Sequence, residues 1–130
     1  EEIMFGYIYI LSNPYMPGVV KIGRTERDPS ERISELSSGA GVPAPFVLEY
    51  SIFAPDLEMA EKEIHVVLSG NRVDDNREFF KLSVEQAKEA VRNKAVDKLA
   101  SQLLQYEDEA LLRLIDIIFF KRKAVRDHFR

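Results

Sequence analysis

The sequence predicts an α+β fold: a small antiparallel or mixed sheet flanked by helices, followed by two C-terminal helices. Three observations predict it. Two β-rich runs, Met4 to Leu11 and Val19 to Gly23, are separated by the turn-forming Asn13-Pro14 and Met16-Pro17-Gly18. Helix starts are marked by capping residues at Asp28 and Ser83. Beyond Ser83 the apolar residues recur at helical spacing.

Each element follows in order. The run Met4 to Leu11, rich in Phe, Tyr and Ile, reads as a strand, and Val19 to Gly23 as its antiparallel hairpin partner. Asp28 is a good N-cap, Pro29 suits the first helical position, and Glu31 falls three residues after the cap. That helix runs to about Ser37, before Gly39 and Gly41. Pro43 to Pro45 leads into a third strand, Phe46 to Phe53. A second helix follows Pro55 and runs to about Leu68, stopped by Ser69-Gly70-Asn71. Glu78 to Leu82 forms a short last strand. Ser83 with Gln86 makes a capping box for a helix to about Gln105, with stripe Val84, Ala87, Val91, Ala95, Leu99 and Leu103. A final helix covers about Asp108 to Asp127. Its apolar residues Leu111, Leu112, Leu114, Ile115, Ile117, Ile118, Phe119 and Phe120 widen beyond one stripe, which predicts burial on more than one side or a homodimer contact. The order β-β-α-β-α-β divides into a domain over residues 1–82 and a helical extension over 83–130.

Composition narrows the function classes. At 130 residues there is room for one domain plus an appendage. Apolar residues make up 45% and charged residues 31%, values of a globular chain rather than a disordered one. The absence of cysteine removes disulfides, thiol nucleophiles and Cys-based zinc sites, and fits a cytoplasmic setting. No apolar run approaches the roughly 20 residues that span a bilayer. The opening Glu-Glu-Ile-Met has neither an initiator methionine nor a basic-then-apolar leader, as a trimmed chain would. The net charge of −4 argues against a general nucleic-acid coat. Residues 1–83 hold 8 Lys/Arg against 14 Asp/Glu, and residues 84–130 hold 10 against 8. Broad contact with nucleic acid therefore falls to the basic C-terminal end, unless its cations simply face a helix dipole.

The residues able to carry chemistry sit in a few short words. The hairpin and first helix contain Gly6-Tyr7-Ile8-Tyr9-Ile10-Leu11, then Val20-Lys21-Ile22-Gly23-Arg24-Thr25, then Arg32. Glu61-Lys62-Glu63-Ile64-His65 and Arg77-Glu78-Phe79-Phe80 follow. On paired strands Tyr9 and Lys21 project from one sheet face if the register permits, and Arg32, about one turn into its helix, reaches back over that face. The same helix start offers free N–H groups to an anion. Hydroxyl, ammonium and guanidinium together stabilise charge growing on a phosphoryl centre. Among the charged residues of the second helix, Glu61 lies nearest the apolar stripe Leu57, Ala60, Ile64, Val67 and Leu68. An unpaired carboxylate aimed there is costly, and a divalent cation such as Mg²⁺ is a suitable partner. His65 lies one turn on, placed to orient a water, contact phosphate or simply satisfy a helix hydrogen bond. Tyr7 is assigned to the opposite face from Tyr9 and to packing, and Phe79 and Phe80 to the core. Arg24 lines a substrate groove or pairs with Glu26 or another acid. Arg32 has Asp28 and Glu35 as alternative partners. Glu78 orients Lys21 or Arg32, or caps its loop.

Four motifs in this order and spacing resemble the GIY-YIG nuclease superfamily, in the phage and bacterial branch whose second motif reads Lys-Ile-Gly. The resemblance covers about residues 5–82. It implies that Tyr9 is the first-motif tyrosine, Arg32 the helix arginine and Glu61 the metal-binding glutamate. The second-motif tyrosine, assigned to proton relay in the family, is Lys21 here, a departure shared by the Lys-Ile-Gly branch. As a general base Lys21 needs a depressed pKa.

The function expected is a metal-dependent endonuclease using Mg²⁺ or Mn²⁺ on nucleic acid, with DNA favoured. Tyr9, Lys21, Arg32, Glu61 and His65 are the catalytic set, Glu61 the metal ligand, and Arg24 and Glu78 the substrate contacts. The alternatives are a non-cleaving nucleic-acid-binding module, or an assembly module working through the C-terminal helices.

Overall fold

β1 (Phe5–Ser12) is one of the two interior strands of the sheet, and its composition suits that place. Ile8, Tyr9, Ile10 and Leu11 are all buried, so both faces of the strand are covered along residues 8–11, while Phe5 and Tyr7 at its start are exposed. A near-continuous apolar run is what such a strand requires. The computed structural model describes residues 4–39, 44–74, 78–106, 109–110 and 112–117. In it β1 pairs antiparallel with β2 (Val19–Thr25) on one side and β3 (Val47–Pro55) on the other. β4 (Phe79–Lys81) adds to the outer edge of β2, giving the wholly antiparallel order β3-β1-β2-β4.

The hairpin turn is fixed by Asn13. Its side-chain oxygen accepts from Tyr15 N at 3.0 Å, and its amide donates to Ala44 O at 2.8 Å. A short side chain that mimics backbone in this way is the reason Asn favours turns.

Helices among the described residues include α1 (Pro29–Ser37), α2 (Leu57–Val67) and α3 (Val84–Leu103), and residues 112–117 are helical as well. Asp28 caps α1 by accepting from Ser30 N, with Pro29 at the first position. The Ser83–Gln86 capping box of α3 is formed in both directions. α2 starts less comfortably. Asp56 takes a left-handed φ of 53°, its side chain makes no capping bond, and Leu57 N donates instead to Met4 O at 2.9 Å.

Strand alternation separates two faces. Ile8, Ile10, Val20, Ile22 and Phe80 point to the face covered by α2 and α3, where they meet Leu57, Ala60, Ile64, Ala87, Val91 and Ala95 in one core. Each large apolar side chain fully buried there contributes about 1.5–3 kcal/mol. The core therefore runs across residue 83 into the first three turns of α3.

Several expectations are corrected. Tyr7 and Tyr9 share a face, because residues two apart in a regular strand must; Tyr7 is exposed, edge-on to Phe53. Phe79 and Phe80 point opposite ways for the same reason, and only Phe80 is fully in the core. Val67 is exposed at the end of α2. In α3 the row 87, 91, 95, 99 advances about 40° per step around a straight helix, so Leu99 has left the buried face. In the helical stretch 112–117 Ile115 is buried while Leu114 and Ile117 are exposed, so the described residues do not themselves cover a second side. Arg77, Leu111, Ile118, Phe119, Phe120 and the basic tail lie outside the described residues.

Candidate active site

The site forms where β2 runs past its edge strand. β4 pairs only with Val19–Lys21, and Ile22 N donates to Glu78 O at 3.0 Å. Beyond that point, among the described residues, the outer edge of β2 carries no strand. Tyr9 stands opposite Gly23, and Lys21 is one alternate position further along the same face. A Cβ at Gly23 would overlap the Tyr9 hydroxyl and stand 3.0 Å from Glu78 Oε2. The missing side chain lets the Tyr9 ring lie across β2, with its hydroxyl and the Glu78 carboxylate meeting above Gly23.

Tyr9 is buried and accepts a hydrogen bond from Arg32 of α1. Burial raises the pKa of its hydroxyl, the Arg32 bond works against that, and the negative charge of Glu78 adds to the rise. At neutral pH the group is a phenol, which orients or donates rather than accepting a proton. Arg32 also reaches Glu35 Oε2 at 3.4 Å, and Arg27 pairs with the same carboxylate at 2.8 Å. Of the alternative partners, Glu35 is therefore the one engaged, because Asp28 is occupied in capping.

Lys21 is not an ordinary solvated edge lysine. Its side chain is only 14% exposed, and its ammonium lies 3.3 Å from Glu78 Oε2 and 5.1 Å from the centroid of Phe79. Glu78 thus pairs with Lys21, the first of the roles considered for it.

α2 approaches from the opposite face. The Glu61 side chain is 12% exposed, and Oε1 lies 3.9 Å from Arg24 Nε, a long contact. Oε2 is buried and has no hydrogen-bond partner. Burial pushes the Glu61 carboxyl up to about 7, and repulsion from Glu78 adds to it, while Arg24, Lys21 and Arg72 pull it down. Arg24 therefore meets Glu61 rather than Glu26.

His65 Nε2 lies 3.1 Å from Ile22 O, and its ring tilts against Phe80. A carbonyl only accepts, so this nitrogen carries the proton in that bond. Desolvation lowers the His65 pKa, so a neutral ring ties α2 to β2 beside Gly23.

Tyr9, Lys21, Arg32, Glu78, Glu61 and Arg24 converge on this edge, with His65 behind them. Two contributors carried little signal in the sequence. Gly23 stood inside a motif, but its clearance for Tyr9 depends on register. Arg72 follows a turn, outside any periodic pattern, yet bridges to Phe80 and acts electrostatically on Glu61 and His65.

Among the described residues no group of three or more His, Asp or Glu could hold a metal. The donor set fits a cation that binds one or two carboxylates and keeps most of its water, as Mg²⁺ does, rather than a protein cage. The buried Oε2 of Glu61 is the atom that needs such a partner.

The T5orf172 domain model matches residues 6–95, from β1 into α3. The chain belongs to the T5orf172 domain family. This domain is found in phage and bacterial nuclease-like proteins. The T5orf172 match takes in every site residue described above and the part of α3 that packs in the core. No curated protein and no solved structure matches the chain. No described helix is long and apolar enough to cross a membrane.

Proposed function

We propose that this T5orf172 domain is a metal-dependent endonuclease that hydrolyses a DNA phosphodiester through a GIY-YIG-type site. The observation that carries the reading is Glu61: a largely buried carboxylate with one unsatisfied oxygen, beside the edge where Tyr9, Lys21 and Arg32 gather. A buried, unpartnered carboxylate costs folding free energy, so its place calls for a cationic ligand.

In this reading Glu61 holds Mg²⁺ or Mn²⁺, with Glu78 adding negative charge nearby. When bound, the ion supplies polarisation of a phosphoryl oxygen and support for the leaving group. Arg32, a permanent cation beside Tyr9, neutralises charge that develops on the phosphoryl oxygens. Lys21, held by Glu78, and the Tyr9 hydroxyl orient the attacking water for in-line displacement. Arg24, only 3.9 Å from Glu61 in a long contact, would be available to a substrate phosphate with a cation held at Glu61. His65 acts on the chemistry only by fixing α2 to β2.

The test uses purified protein with supercoiled plasmid and a labelled single strand, in Mg²⁺ or Mn²⁺, with EDTA and Glu61→Ala controls. Cutting that needs the ion and disappears in Glu61→Ala is the expected result. Absence of cutting together with absence of Mn²⁺ binding by calorimetry overturns the reading. Lys21 in the place of the motif tyrosine favours one second reading, a nucleic-acid-binding module that does not cut. Metal and DNA binding without turnover would establish it.

A further inference from the structure

Phe5, Tyr7 and Phe53 form an aromatic cluster at the open end of the sheet face that carries Tyr9. They are 53%, 36% and 47% exposed. Phe5 stacks on Phe53 at 5.9 Å with rings 10° apart, and Tyr7 meets Phe53 edge-on at 6.2 Å. We propose that this cluster is a stacking platform for unpaired bases of single-stranded DNA leading into the site. The proposal rests on the nuclease reading for its choice of DNA.

Continuity supports it first. Phe5, Tyr7 and Tyr9 occupy alternate positions of one strand, so their side chains rise from one face about 6.6 Å apart. Phe53 is cross-strand partner to Tyr7 and shares that face. Tyr9 is buried and tied to Arg32, while the other two positions lie open. Thr25 faces Tyr7 across the sheet, and its hydroxyl accepts from the backbone N–H of Arg27 at 3.1 Å.

Area argues for a small planar ligand over a protein partner. Three aromatic side chains of about 150–250 Å² each, roughly half exposed, offer on the order of 300 Å². A stable protein interface needs about 800 Å² per partner. Charge argues for stacking over phosphate attraction, because residues 1–83 carry 8 Lys/Arg against 14 Asp/Glu. An acidic domain gains little from counterion release, whereas base–aromatic stacking is neutral and tolerant of sequence. Duplex bases are already stacked on each other, so only an unpaired strand can use such a platform.

Binding is read by fluorescence anisotropy of the full chain in EDTA, with a labelled single-stranded oligodeoxynucleotide and its duplex. Phe53→Leu and Tyr7→Leu keep apolar bulk but remove the ring. Each is expected to weaken single-strand binding about tenfold with no change in salt slope and to leave the duplex unaffected, whereas Phe53→Tyr and Tyr7→Phe, which keep the ring, hold wild-type affinity. Thermal melts establish that the variants fold.

Unchanged single-strand affinity in both Leu variants, equal loss on the duplex, no wild-type single-strand binding, or a change in sedimenting mass would each overturn the proposal. Ring-dependent binding without metal-dependent cutting would leave the platform standing and remove the enzyme. Cutting and binding that ignore both Leu substitutions would do the reverse.

Discussion

The two faces of the sheet are built from the same strands and obey different rules. Against α2 and α3 the face is Ile8, Ile10, Val20, Ile22 and Phe80, apolar and closed. The other face holds Tyr9, Lys21 and the exposed cluster of Phe5, Tyr7 and Phe53, beneath a short helix that delivers Arg32. Alternation along a strand makes this division possible, since each residue contributes to one face only. The packed face supplies the stability that lets the other keep a buried phenol and a restrained ammonium. Glu61 lies on neither side cleanly. It hangs from the packed helix at the strand edge, where the two faces meet, and carries an unsatisfied oxygen.

The comparison is broken most directly by changing function on one face and stability on the other. Arg32→Ala should lower cutting by roughly 100- to 1,000-fold while leaving the melting temperature nearly unchanged, measured by plasmid nicking and thermal denaturation. If both fall together, the open face is structural.

Ile22→Ala on the packed face should cost about 2–5 kcal/mol in denaturant unfolding, because the hole it leaves is enclosed. Tyr7→Ala on the open face should cost about 1 kcal/mol or less, mostly its contact with Phe53. Similar losses would mean that both faces are covered.

Gly23→Ala should cost roughly 1–3 kcal/mol by forcing the Tyr9 ring to move, and should reduce cutting as well. Gly18→Ala, at a φ of 77° with open space around it, meets only backbone strain and should leave cutting unchanged.

The smallest effect is a pH slope. Glu61 titrates at about 7 in the folded chain against an ordinary 4.5, so the folded state binds the proton more tightly. Without divalent cations, stability should fall as pH rises from about 4.5 to about 7 and level off above. Glu61→Gln should lack that slope and exceed the wild type above pH 7 by roughly 1–3 kcal/mol. Urea unfolding across pH measures it. A wild type with no such slope would place Glu61 in water.

Much of the fold could be read from the chain. Asp28-Pro29 and the Ser83–Gln86 box marked helix starts because capping is local chemistry, and the β-rich runs marked strands because apolar spacing reports burial directly. Local rules failed where geometry accumulates over distance. The i+4 row of α3 reads as a stripe on paper but rotates off the core by Leu99. The paired strands enforce a two-residue period, which puts Tyr7 on the Tyr9 face and Phe79 on the face opposite Phe80.

The candidate site divides the same way. Residue types and spacing nominated Tyr9, Lys21, Arg32 and Glu61, because a short motif fixes what lies within a strand or a helix turn. Which groups meet was decided in three dimensions. The Tyr9–Gly23 register clears the ring, the short β4 leaves the edge open, and α2 brings Glu61 to it without completing its hydrogen bonds. Partners such as Lys21 and Glu78 are 57 residues apart, so no local pattern could encode their pairing. The sequence determined the elements and the chemical groups because both depend on neighbours along the chain. Tertiary structure alone decided the long-range charge pairs such as Lys21–Glu78 and the direction of the Tyr9, Glu61 and His65 pKa shifts, because these depend on neighbours in space.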